Sequence, residues 1–310
     1  MKKKCKMLSF ILIAALLALA LTGCTGSGDP GGGEKPIVVS SKTFVEAIIM
    51  GNLTVELLRD RGYEVVDEVG LGEVAVMRPA ITSGQVDVYW EYTGTALVVV
   101  MGAEALADGE EAFQKVKKWD LEENDLVWLD YAPANNTHVI FISSNLYDHN
   151  QWTKISELAE HIGQGEKPLK MSLPSEWFER QDGLEPFENH YGFQFDRSQL
   201  QFVELGLTYE SVGRGLADVG IGDATEGRIA QFGLHVLEDD QQFFPAYNPA
   251  PVIRGEVLDT YPELEEVFKE LSSLLDADTL VELNKKVAVE GMQPEAVAKD
   301  FLLEKGLVKQ

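Results

Sequence analysis

Two hydrophobic periods follow one another within residues 37–69, and that succession constrains the fold more than any other feature of the chain. Ile37-Val38-Val39 is a short continuous apolar run, as a buried strand requires. After the turn Ser41-Lys42-Thr43-Phe44, apolar residues recur at Ile48, Ile49, Leu53, Leu57 and Leu58, the spacing of one helix face. Gly62 stops this helix, and residues 64–69 form a second strand. Strand, helix, strand with this spacing implies a parallel α/β sheet covered by helices.

The pattern then echoes itself. Residues 76–83 read as a helix that ends at Gly84 and returns as the strand Val86-Asp87-Val88-Tyr89. Residues 209–214 read as a helix that ends at Gly215 and returns as Ala217-Asp218-Val219-Gly220. Each has the form helix, Gly, two residues, Asp, strand, and the recurrence suggests two similar lobes. Between the echoes lie an apolar strand at 137–143, a helix at 155–162, a strand at 169–173 and a helix at 182–191. Three helices close the chain, at 264–275, 278–287 and 294–304.

The stretch Tyr92-Thr93-Gly94-Thr95 stands where a strand, 86–90, runs into an apolar helix, 96–101. Strand ends of α/β sheets that open a helix are where ligands bind. Thr93 or Thr95 is placed to cap that helix, leaving N–H groups for an anion beside the Tyr92 ring. The competing reading is a capped helix with a packing tyrosine.

The N-terminal region carries an export signature. Lys2, Lys3, Lys4 and Lys6 precede an apolar run from 8 to 21, too short and wrongly flanked for an ordinary membrane span. It ends in Leu21-Thr22-Gly23-Cys24, which resembles a bacterial lipobox. Residues 1–23 are thus expected to be a signal peptide, with Cys24 lipidated. The Gly-rich residues 24–35 are then a flexible tether, and folding starts at about Pro36. Cys5 and Cys24 are the two cysteines, so the mature body has no disulfide, thiolate nucleophile or cysteine metal site. The formal charge of −25 argues against nucleic acid and against docking on anionic lipid.

No Gly-x-Ser-x-Gly is present, and the five histidines show no His-Glu-x-x-His spacing. A glycosidase needs only two carboxylates, and 51 acidic residues leave that enzyme class open.

Over residues 36–308 the chain resembles the substrate-binding lipoproteins of ABC importers for glycine betaine, choline, carnitine and related osmoprotectants. The matching stretches are Ser41-Lys42, Glu91 to Thr95, Arg180 with Asp182-Gly183-Leu184, and Thr208-Tyr209-Glu210. Leu237-Glu238-Asp239-Asp240, the run PAYNPAP at 245–251, Leu283-Asn284 and the last helix to Gly306-Leu307 follow in the same order. The resemblance implies a two-lobed α/β periplasmic-binding-protein fold (Venus flytrap, type II) with a two-strand hinge. Lobe one would comprise 36–135 and 246–310, and lobe two 136–245. It implies a binding protein, not an enzyme, with neither cofactor nor metal. It also implies a monomer that is extracytoplasmic, anchored to a bacterial membrane by lipid, and partnered by an ABC permease and its ATPase subunits.

The resemblance also assigns site residues. Lys42, Thr95 and Arg180 stand where the family clamps a ligand carboxylate. Tyr92 and Tyr247 stand at two positions of an aromatic cage for a quaternary ammonium, which is held by cation–π attraction. The other two cage positions carry His138 and Asp223, which cannot hydrogen-bond a quaternary ammonium but could serve a ligand with N–H or O–H donors. Trp90 and Trp177 flank the clamp and either replace the lost ring area or pack in the core. Asn136, at the first crossing between lobes, is a further candidate. The ligands that fit are a betaine, carnitine, a histidine-derived betaine, or an amino-acid-like cation such as a guanidino compound.

Overall fold

The computed structural model describes residues 35–165, 167–180 and 182–309, so the expected signal peptide, Cys24 and most of the tether lie outside the described residues. Its strands are β1 (Ile37–Ser40), β2 (Val65–Glu68), β3 (Val88–Tyr92), β4 (Leu126–Trp128), β5 (His138–Ile142), β6 (Met171–Leu173), β7 (Leu200–Phe202), β8 (Val219–Asp223), β9 (His235–Val236) and β10 (Pro249–Arg254). They form two five-stranded sheets, ordered β2-β1-β3-β10-β4 and β7-β6-β8-β5-β9. In both sheets three parallel strands are joined by two further strands, the inner of which runs antiparallel to its parallel neighbour. The molecule is therefore two α/β lobes of the same design.

The echoed aspartates serve the same purpose in each lobe. Asp87 Oδ2 accepts from the N–H of Val38 on β1 (2.9 Å), and Asp218 Oδ2 accepts from the N–H of Lys170, just before β6 (2.9 Å). Each carboxylate ties its strand to the parallel neighbour at the point where the ladder starts. Gly84 and Gly215, the residues that end the preceding helices, have φ of +77° and +72°, which a side chain would strain.

Helix α1 (Val45–Asp60) lays Ile49, Met50, Leu53, Leu57 and Leu58 on the first sheet. Helices α2 (Val74–Thr82) and α3 (Gly109–Asn124) cover the opposite face. In the second lobe α4 (Ile155–Gly163), α5 (Ser175–Glu179), α6 (Leu184–Tyr191) and α7 (Leu205–Gly213) surround the sheet. The terminal helices α8 (Leu264–Ser273), α9 (Ala277–Ala288) and α10 (Pro294–Lys305) return to the first lobe, where α9 and α10 pack on α1.

The chain passes between sheets twice, between β4 and β5 and between β9 and β10. The two crossings lie side by side. Asn136 N–H donates to the Tyr247 carbonyl (3.0 Å), Tyr247 N–H to Asn135 Oδ1 (2.8 Å), and the Thr137 hydroxyl to the Pro245 carbonyl (3.0 Å).

Several elements differ from the sequence expectation. The strand expected at 86–90 runs from Val88 to Tyr92. The helix expected at 96–101 is a short turn, Thr93–Thr95, leading into one π-helical turn, Ala96–Val100. Neither threonine caps it. The Thr93 hydroxyl instead donates to the Ala246 carbonyl and accepts from the Asn248 N–H, both at 3.0 Å. The Thr93 N–H is also taken, by the Asn248 carbonyl (3.1 Å). Gly94 is the reason no larger residue stands there: a Cβ would lie 2.8 Å from the Tyr247 ring and the Ala246 oxygen. The Tyr-Thr-Gly-Thr stretch thus binds the end of β3 to the second crossing.

Candidate functional site

A cleft of about 620 Å³ opens between the lobes. It is lined from the first lobe by the turn after β1, the start of α1, and the ends of β3 and α9. The second lobe contributes α5, the loop from β7 into α7, and the end of β8. Lys42, Tyr92, Thr95, Asn136, His138, Trp177, Arg180, Asp223 and Tyr247 all line it, so nine of the ten sequence candidates are brought together.

Trp90 is the exception and a correction. It is 1% exposed, faces α1 within the core of the first lobe, and its indole N–H donates to the Thr54 hydroxyl (2.9 Å). Its position on β3, two residues before Tyr92, puts it on the same face but deeper under the helix.

The two cations of the expected clamp are already engaged, each by an acid. Lys42 donates to the buried Glu91, and its ammonium sits 4.9 Å from the Tyr92 ring centroid. Arg180 forks onto Asp182, with Nε and Nη2 each at 2.7 Å, and Nη2 also reaches the Tyr247 hydroxyl (3.0 Å). Burial works against the charge of Arg180, but the Asp182 bonds outweigh it and hold the guanidinium above its ordinary pKa. Burial likewise opposes the Asp182 charge, and Arg180 overrides this to hold the carboxyl below its usual value. Both cations keep donors in reserve. An ammonium has three N–H groups and Glu91 takes one; among the described residues the two on Arg180 Nη1 meet only Glu176, at 3.9 Å.

The cage positions are also altered by their surroundings. The Tyr92 hydroxyl donates to Glu46 (2.9 Å) and the Tyr247 hydroxyl to Asp182. Burial pushes both phenols well above their ordinary range. His138 and Asp223 are direct cross-strand partners on β5 and β8, and His138 Nδ1 lies 3.1 Å from Asp223 Oδ1. The imidazole also packs on Tyr247 at 4.9 Å between centroids. Asp223 N–H donates to the Tyr209 hydroxyl (2.6 Å), whose ring approaches Gly222 too closely for any Cβ.

Among the cleft residues that the sequence did not single out are Phe44 and Glu46. Phe44 lines the cleft with its ring 5.7 Å from that of Tyr92 and adds aromatic surface where His138 and Asp223 remove it. Glu46, on the first turn of α1, is 3% exposed and accepts four hydrogen bonds, from Tyr92, Asn136, Thr225 and Asn284. Burial outweighs those donors and raises its carboxyl to about 6.

Further polar groups point to the same place. Of the five buried side-chain polar atoms without a hydrogen-bond partner among the described residues, three, His138 Nε2, Trp177 Nε1 and Asn284 Oδ1, belong to residues that line the cleft, while the Ser172 and Ser272 hydroxyls lie elsewhere. Unpaired buried polar atoms cost free energy and are rare, so their clustering marks a functional surface.

The chain matches the family model described as the substrate binding domain of ABC-type glycine betaine transport system, over residues 35–304. It is 36% identical over 281 residues to the glycine betaine-binding protein YehZ of Escherichia coli (strain K12), covering 88% of this chain and 92% of that protein. It is 35% identical over 275 residues to a glycine-betaine-binding protein of Pseudomonas aeruginosa, covering 87% and 88% respectively. The solved apo YehZ superposes with a TM-score of 0.67 at 35% identity, covering 88% of this chain and all of that one. A crystal structure described as a glycine betaine/carnitine/choline ABC transporter gives 0.73 at 26% identity, over 87% and 99%. The two-lobed architecture is accordingly the type II periplasmic-binding-protein fold. The chain belongs to the family of substrate-binding domains of ABC-type glycine betaine transport systems, and is an extracytoplasmic, non-enzymatic binding protein that works with an ABC permease.

Proposed function

We propose that this protein captures a betaine-class zwitterion between its lobes and delivers it to the permease. The observation that carries this reading is the reserve of donors on Lys42 and Arg180, facing a cleft that also holds the rings of Phe44, Tyr92, Trp177 and Tyr247. Spare N–H groups on two buried cations suit a carboxylate, and ring faces suit a methylated ammonium. The carboxylates of Glu46 and Asp223 give the cleft floor a negative field that favours the cationic end. Glycine betaine and carnitine both fit, and both are named for related proteins.

The same cleft supports a second reading. His138 and Asp223 favour a cation that carries N–H or O–H donors, such as a histidine-derived betaine or a guanidino compound, because a bare quaternary ammonium offers them no hydrogen bond.

The placement in the cell is also a proposal. Leu21-Thr22-Gly23-Cys24 supports cleavage before Cys24 and a lipid anchor, with residues 24–35 as the tether of a monomer. Among the described residues no helix is long and apolar enough to cross a membrane. We take the lobes as 36–135 with 246–310, and 136–245, the hinge being the paired crossings.

Titration calorimetry with glycine betaine, carnitine and choline tests the ligand reading, since choline lacks the carboxylate. The two zwitterions should bind the parent more tightly than choline. Arg180→Ala should cost the zwitterions about 2–5 kcal/mol, as for truncating one side of a buried charge pair, and choline little. Equal loss for all three, or tighter binding of choline, would reject carboxylate capture.

A further inference from the structure

Glu46 stands at the inner end of the cleft with its acceptor sites taken. Oε1 accepts from the Tyr92 hydroxyl and Asn136 Nδ2, both at 2.9 Å. Oε2 accepts from Asn284 Nδ2 (2.8 Å) and the Thr225 hydroxyl. The four donors come from the end of β3, the first crossing, α9, and the segment after β8. Thr225 is the one that follows a strand of the second sheet. The first lobe holds its backbone as well, Asn284 Nδ2 donating to the Thr225 carbonyl (3.0 Å), while Thr225 N–H donates to Asn136 Oδ1 at the crossing (3.3 Å). Next to it, the backbone at Gly227 meets Lys285 on α9 so closely that a Cβ would lie 2.8 Å from the lysine Cβ.

We propose that Glu46 is a positioning residue for ligand capture, fixing the Tyr92 ring and latching Thr225 so that ring placement and lobe closure are one event. The proposal rests on the reading that a ligand is held between the lobes. Rotation of the second lobe away from the first carries Thr225 off Glu46. It leaves a carboxylate in a largely buried site short of a charge-assisted donor, which disfavours the open form. Tyr92 is bonded to the same carboxylate, so the ring that meets the ligand and the residue that registers closure share one anchor.

The test uses Thr225→Val, which removes the hydroxyl and keeps the shape, in the full protein with one spin label on each lobe. Inter-lobe distances are measured by pulsed electron resonance without ligand, and glycine betaine is then used as the probe in stopped-flow binding. A hydrogen bond to a charged group corresponds to a population shift of about 10- to 100-fold, and the ligand-free open fraction should rise accordingly. Glycine betaine should leave faster by a similar factor while its entry rate stays the same, and Thr225→Ser should restore both. In a Glu46→Gln background Thr225→Val should add little, which a purely local packing role would not produce. Unchanged distances in Thr225→Val, or full additivity of the two substitutions, would overturn the proposal. The distance measurement needs no ligand, so a parent protein that ignores glycine betaine refutes the ligand reading while the latch is still judged on the distances.

Discussion

Acidification should stabilise this protein through Glu46, against the usual trend for a carboxylate rich in hydrogen bonds. Burial is the largest influence on Glu46 and raises it from an ordinary 4.5 to about 6, despite donors from Thr225, Asn284 and Tyr92. A group whose folded pKa exceeds its unfolded one binds more protons in the folded state between the two values. Its stabilising contribution is complete below about 4.5 and is lost as pH rises through about 6. The difference of roughly 1.5 units corresponds to about 2 kcal/mol. For a unit of this size that is a few degrees in Tm. The assay is denaturant unfolding of the parent and of Glu46→Gln at half-unit steps from pH 7.5 to 4. Glu176 and Glu226 are likewise raised by burial, and subtracting the variant cancels contributions other than that of Glu46. The parent should gain about 2 kcal/mol on the variant as pH falls through the window, whatever constant offset the Gln introduces. A flat difference, or a gain that reverses sign, would show that the four donors outweigh desolvation and that the carboxylate is not held in a costly environment.

Further outcomes follow from the clamp and the altered cage. Lys42→Ala should weaken zwitterion binding less than Arg180→Ala, because the Lys42 ammonium is a point charge while Arg180 is a planar fork that keeps both Nη1 donors for a ligand oxygen. Calorimetry that ranks the two variants in the opposite order would shift the carboxylate subsite toward the first lobe. The double variant His138→Tyr, Asp223→Tyr should bind glycine betaine more tightly, by on the order of 1–4 kcal/mol for two restored ring contacts, and should weaken a ligand that bonds Asp223. No gain for glycine betaine would mean that this cross-strand pair does not meet the ammonium.

Much of the fold was open to reading because its elements obey one period at a time. The succession from Ile37 to Val69 announces a parallel sheet, and the two echoes announce two similar lobes, although the tie between parallel strands that Asp87 and Asp218 make was not legible in the sequence. The central antiparallel strand β10 was hidden, because Pro249 and Pro251 interrupt it and proline ordinarily argues against a central strand. The strand survives because the proline carbonyls still accept, from Leu129 and Ala132. The helix Gly109–Asn124 went unread for a different reason: its apolar side is only Ala112, Phe113 and Val116, with Asp120 buried beside them and held by Arg78 and Trp128. The threonines after Tyr92 were misjudged because capping is a local argument. The hydroxyl and N–H partners of Thr93 come from Ala246 and Asn248, more than 150 residues on.

At the site, residues carried by matching motifs were found, and those without a motif were missed. Trp90 had the right neighbourhood in sequence but lies two residues deeper on its strand, beneath Thr54. Glu46 left no trace at all. On a helix read for its apolar stripe, an acid in the first turn counts as a solvated, dipole-favoured residue. Only the convergence of Tyr92, Asn136, Thr225 and Asn284 turns it into a buried anchor, and that convergence spans nearly the whole folded chain.

The central claim is that the two lobes close on a small zwitterion. Solution scattering of the wild-type protein during titration with glycine betaine and carnitine tests it most directly. The account predicts a smaller radius of gyration that saturates with the ligand, with a parallel rise in Tm of the size that binding at high occupancy confers. A radius of gyration and Tm that stay constant across both ligands at saturating concentrations would contradict it.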